Sequence, residues 1–125
     1  MSALTAVTAA NAVLYLAAAI LHSGVMGAAG ATTLGFQPSP AATVAEGLIG
    51  VVLTVAAVML FRSPSARRLA WGAYLFSLAG TMLGLSILLA ARVGGPDLWI
   101  HFVMLTGLAV GFALLARARG RAVST

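Results

Sequence analysis

Two histidines and two acids carry the proton-exchanging and cation-binding capacity of this 125-residue chain: His22, His101, Glu46 and Asp97. An imidazole nitrogen takes up a proton or ligates a metal, and a carboxylate supplies the opposing charge. Asp97 and His101 stand four residues apart in the stretch GGPDLWIHF, 94–102. On a helix that spacing puts both on one face. The acid is expected to hold one nitrogen of His101 and leave the other for a proton or a metal. Asp97 also follows Gly95 and Pro96, a position suited to capping a helix N-terminus.

The absence of cysteine excludes disulfides, thiolate metal sites and redox thiols. There is no glycine-rich phosphate loop, no serine nucleophile elbow and no H-E-x-x-H helix. The methionines Met26, Met82 and Met104 read as apolar packing material before they read as a soft-metal path.

The elements that must position these residues are set by composition. The chain is 62% hydrophobic and 7% charged, against about 25% charged in a soluble domain. It cannot cover a water-facing surface. Four apolar runs, roughly 5–28, 41–61, 68–92 and 97–116, are separated by the turn-rich GFQPSP, by RSPSARR and by GGPD. Each approaches the ~20 residues that cross a bilayer core, and unpaired backbone in lipid forces each to be helical. Short connections predict an all-α integral membrane domain with an up-down-up-down four-helix bundle. A basic tail, 117–125, follows it.

The net charge is +5, carried entirely by arginine. A nucleic-acid partner needs a basic face on a soluble scaffold. Here Arg62, Arg67 and Arg68 lie between the second and third runs, Arg117, Arg119 and Arg121 lie in the tail, and Arg92 alone lies elsewhere. By the positive-inside rule this predicts both termini in the cytoplasm and no role in nucleic-acid binding. The arginine clusters also suit contact with anionic lipid. The N-terminal run has no basic leader and reads as a retained span. Abundant Ala and Gly, with Arg replacing Lys, suggests a GC-rich bacterial genome and so a bacterial cytoplasmic membrane. Arg92 reads as an interfacial snorkelling residue. Trp71 and Tyr74 are expected at the inner interface and Trp99 at the outer one.

On this topology His22, Glu46 and His101 fall roughly 6–9 Å inside the outer boundary, one from each of three helices. Ionisable groups in a span usually face the bundle interior or a water-filled cavity. They are therefore the candidate ligand-binding set, with Asp97 in support, and the candidate metal ligands are His22, Glu46 and His101. On the first run Asn11, Tyr15, His22 and Met26 share a stripe, and on the second Thr43, Glu46, Gly50 and Thr54 share another. Facing each other, the stripes would make a polar seam toward the centre. Trp99 falls opposite His101, toward lipid. GTMLG (80–84) and GLAVG (107–111) are G-x-x-x-G patterns. They serve close packing inside the bundle, or a homodimer or larger-complex seam. No internal repeat of the inverted-transporter kind is visible.

Three functions fit. The first is binding or transport of a cation, proton or small polar ligand at the His/Glu/His layer. The second is a non-catalytic subunit of a larger membrane complex. The third is a membrane enzyme or electron carrier built on a divalent metal or on haem, with two histidines as axial ligands.

Overall fold

The computed structural model describes residues 1–25 and 36–123. The described residues form four long helices and one short turn of 3-10 helix: α1 (Ala3–His22), α2 (Pro40–Arg62), the 3-10 turn Pro64–Ala66, α3 (Arg67–Ala90) and α4 (Pro96–Val123). All four helices are long and apolar enough to cross a membrane.

Local signals fix the helix ends. Ser2 accepts a hydrogen bond from the Thr5 amide at the start of α1. Ser39 does the same for Ala42, with Pro40 in the first turn of α2. α1 is shorter than the apolar run that contains it. The Ser23 amide bonds back to Ile20, and Gly24 follows in the left-handed region at φ 72°. His22 is therefore the last residue of its helix, not one embedded about six residues from the end. Met26, expected on the same stripe, lies outside the described residues. At the other extreme α4 runs on to Val123, so most of the basic tail is helical.

α3 ends in a two-bond cap: Val93 N–H donates to the Leu88 carbonyl (2.9 Å) and Arg92 N–H to Leu89 (3.1 Å). Such caps place their left-handed residue where glycine is usual, yet here Arg92 occupies it at φ 55°. An L-residue pays for that conformation in steric strain, so Arg92 is first a strained cap residue. Arg92→Gly is expected to raise stability by about 1 kcal/mol in thermal unfolding of the detergent-solubilised protein. An unchanged or lowered midpoint would show that the side chain contributes more than the strain costs.

Packing contacts run α1–α2, α2–α3, α3–α4 and α4–α1, which closes a ring of four helices. The core is dominated by Ala18, Leu53, Ala56, Ala70, Met104 and Leu108, each at most 1% exposed. Met104 is thus packing material, while Met82 faces outward. α1 and α3, on the diagonal, meet through two buried tyrosines, Tyr15 and Tyr74. Small residues admit these contacts. A Cβ on Gly80 would lie 2.7 Å from Ile49 Cδ1, one on Gly107 would overlap the Asn11 amide, and one on Gly111 would overlap the Tyr74 ring. Gly84 makes room for His101, whose Nε2 lies 2.8 Å from the position a Cβ would take. Both G-x-x-x-G patterns are occupied by contacts within the chain.

Polar side chains are buried among this apolar core, while large apolar ones are exposed. The interior holds Thr5, Thr8, Asn11, His22, Glu46, Ser77, Thr81, Asp97 and His101, all buried. The surface exposes Val13, Val44, Leu48, Val51, Leu75, Leu83, Ile87, Trp99 and Val103.

Candidate functional site

Three helices bring a polar cluster together where α1 ends. His22 is its centre. Its Nδ1 lies 2.7 Å from Glu46 Oε2, on the second turn of α2, and its Nε2 lies 2.9 Å from Asp97 Oδ1, on the first turn of α4. All three side chains are buried: the residues are 2%, 6% and 6% exposed. The backbone completes the enclosure. The His22 carbonyl accepts from the Ser39 amide (3.0 Å), and the buried Phe36 ring stands edge-on to the imidazole at 5.4 Å between centroids. The segment before α2 thus closes the site from the side of the connecting chain.

Proton counting defines the chemistry. Carboxylate oxygens and ring nitrogens meet in two hydrogen bonds, so two protons are shared among three groups. They can sit on the imidazole, as an imidazolium between two carboxylates. Alternatively one sits on the ring and one on an acid. Both forms carry a net charge of −1, so a proton can move within the cluster without changing its total charge. The second oxygen of Glu46, Oε1, is buried and has no hydrogen-bond partner. A buried acceptor without a partner is costly, and more so when it belongs to a charged group. It is the one such side-chain nitrogen or oxygen among the described residues.

The sequence reading is corrected at several residues. Asp97 was expected to orient His101, but its carboxylate is turned to His22. His101 instead donates Nδ1–H to the Asp97 backbone carbonyl (2.9 Å). The reason is local: in a helix the carbonyl four residues back lies within reach of a side chain, which frees the Asp97 carboxylate for the neighbouring helix. The expected metal set His22, Glu46 and His101 is not assembled. Among the described residues no group of three or more His, Asp or Glu is arranged around a common metal position. Both nitrogens of His22 are engaged by carboxylates, which also removes His22 as a ready axial ligand for haem.

The seam is partly as expected. Asn11, Tyr15 and His22 share a buried face, and Glu46 and Gly50 face them. Thr54 does not. It lies on the exposed side and donates to the Gly50 carbonyl of its own helix (2.8 Å). Leu53, 0% exposed, takes the inward place. Tyr74, expected at an interface, is in the centre. Asn11 Nδ2 donates to the Tyr74 oxygen (3.3 Å) and to the Gly107 carbonyl (3.0 Å). The Thr8 hydroxyl donates to the Leu4 carbonyl (2.8 Å), so Tyr74 donates to Thr8 (3.1 Å). Tyr15 donates likewise to Thr81, whose own proton goes to the Ser77 carbonyl (2.7 Å). Thr8, Ser77 and Thr81 were not singled out from sequence. For Ser77 and Thr81 the signal was the spacing Tyr74, Ser77, Thr81 on one face of α3.

Comparison with protein families, with curated proteins and with solved structures finds no match for this chain.

Proposed function

We propose that this is a small polytopic membrane protein that binds a proton or a small cation at the His22–Glu46–Asp97 cluster. In this reading the four helices cross the bilayer up-down-up-down. The order of contacts supports that topology: His22 with Asp97 and Asn11 with Gly107 pair α1 and α4 in opposite sequence order, while Thr8 with Tyr74 and Tyr15 with Thr81 pair α1 and α3 in the same order. The many large apolar side chains exposed on all four helices support a lipid surrounding. The arginines at the opposite end favour both termini in the cytoplasm, so the cluster lies toward the outer face.

The observation that carries the function is the unpartnered Glu46 Oε1 in a buried cluster of net charge −1. One added proton or monovalent cation neutralises the cluster, and neutrality is strongly favoured in a low-dielectric setting. Proton and cation would compete for the same oxygen, so cation binding weakens on acidification. The test is difference infrared spectroscopy of the carboxyl region in proteoliposomes across a pH titration, with and without sodium or potassium. The wild type is expected to show a buried carboxylic-acid band that grows at low pH and is suppressed by the cation. Glu46→Gln removes it. A titration that survives Glu46→Gln unchanged would sink the assignment.

A second reading has one observation in its favour: His22, Glu46 and Asp97 tie three helices together and Phe36 covers them. The cluster then acts as a lock in a non-catalytic subunit of a larger membrane complex. Gentle solubilisation of native membranes separates the two. Co-migration with other subunits favours the lock, and migration alone favours the binding protein.

A further inference from the structure

The two acids of the His22 cluster differ in their access to water. Glu46 Oε2 and Asp97 Oδ1 hold the ring. Glu46 Oε1 is sealed in without a hydrogen-bond partner. Asp97 Oδ2 has no hydrogen-bond partner among the described residues either, yet it is not sealed in, so it reaches the surface. The surrounding chain accounts for the difference. Gly94, Gly95 and Pro96 are exposed, and a Cβ on either glycine would meet nothing within 4 Å. Asp97 is the first buried residue after this open turn. Glu46 lies on the second turn of its helix, and Phe36 closes the cluster from the connecting chain.

We propose that Asp97 is the proton entry of the cluster and His22 the relay to Glu46: a proton taken from water on Asp97 Oδ2 drives the Nδ1 proton of His22 onto Glu46 Oε2. The proposal rests on the reading of the cluster as a proton site and deepens it, by naming how the proton reaches the sealed acid.

Carboxylates stand on both ring nitrogens, at 2.7 and 2.9 Å, and an imidazolium donates to both. Both distances lie within the reach of direct proton transfer, about 2.6–3.2 Å. Protonation of Asp97 removes one of the two negative charges that hold the imidazolium. The ring is then a buried cation beside one remaining anion, and transfer of a single proton cancels both charges. The Nδ1–H bond breaks, and an O–H bond forms on Glu46 Oε2, which now donates to Nδ1. Nε2–H goes on donating to Asp97 Oδ1. One proton has entered, and both acids and the ring end neutral. Glu46 Oε1 becomes the oxygen of a neutral acid, for which a missing partner costs less than for a carboxylate. Acidification thus takes a proton off the histidine ring. The other titratable and charged groups leave this path clear. The Tyr15 hydroxyl is tied to Thr81, and His101 to the Asp97 backbone carbonyl. Arg92 is exposed in the α3 cap, and Arg62 and Arg117 stand toward the far ends of α2 and α4. Chains of acids and histidines are the usual proton relays inside membranes.

The test is solid-state nitrogen magnetic resonance of protein isotopically labelled in its histidine rings, in proteoliposomes, with His101→Gln so that His22 is the only ring. The expected result is a proton on both nitrogens at neutral pH. On acidification the Nδ1 proton alone is lost, in step with growth of the Glu46 carboxylic-acid band in the infrared. A ring that keeps both protons while that band grows shows direct entry at Glu46 Oε1 and overturns the relay alone. A ring with a single proton at neutral pH overturns it too. Asp97→Asn keeps an acceptor for Nε2–H but takes up no proton, so acidification should no longer enlarge the Glu46 band. Undiminished growth in that variant overturns Asp97 as the entry. Circular dichroism checks that the variants fold, and the ring signals decide alone if Asp97→Asn does not. If the protein with native Asp97 and Glu46 forms no acid band as pH falls, the proton-binding reading fails and the relay with it.

Discussion

Replacing His22 by alanine is expected to lower the stability of the protein by about 3–5 kcal/mol at neutral pH, the scale for removing one member of a buried ionic set. The variant leaves Glu46 and Asp97, each 6% exposed, without the donor that both share. Two buried carboxyl groups then face one another across the place the ring held. The loss also unties α1 from α2 and α4 at one point. Acidification protonates carboxylates and removes their charge, so the deficit should shrink as pH falls. A triple variant, His22→Leu/Glu46→Leu/Asp97→Leu, should recover much of the loss, because an apolar set leaves no buried polar group unpaired. Thermal unfolding of the three proteins in one detergent decides the matter. If His22→Ala stays within about 0.5 kcal/mol of the wild type, the range of an unremarkable surface change, then the cluster does not carry buried charge as described.

Gly111→Ala is the second large effect. The added methyl would overlap the Tyr74 ring, which is 0% exposed and has no free space to turn into. Overpacking of this kind costs about 1–3 kcal/mol. Here it also pushes the Tyr74 hydroxyl away from Asn11 and Thr8, so the upper end of that range is expected. Gly72 provides the comparison, since a Cβ there meets nothing within 4 Å. Gly72→Ala should instead stabilise α3 by about 0.5–1 kcal/mol through helix propensity. Equal effects of the two substitutions in thermal unfolding would show that close approach at Gly111 is not limiting.

These two cases also mark what sequence reasoning could reach. The four helices were legible because apolar run length is a strong signal, and their ends fell close to Pro40, Arg62, Arg67 and Pro96. The depth argument brought His22 and Glu46 into one layer, and they are indeed in contact. It failed on the partner of Asp97. Spacing within one helix pointed to His101, yet the choice between a same-helix and a cross-helix partner depends on how closely two helices approach, which periodicity does not encode. Thr54 failed for a rotational reason. Eight residues from Glu46 carry it about 80° around the helix, enough to leave the inward face to Leu53. The tyrosine crossings were hidden because Tyr is equally at home at an interface and in a satisfied core. Only the serine and threonine spacing on α3 favoured the second.

The two bonds made by His22 span very different lengths of chain: 24 residues to Glu46 and 75 to Asp97. Since a chain emerges from the ribosome at about 5–20 residues per second, the second acid becomes available several seconds after the first. A nascent chain therefore passes through a stage in which His22 is held from one side only, and α4 arrives as the closing piece. Closure of the cluster therefore waits on α4, the helix that carries Asp97.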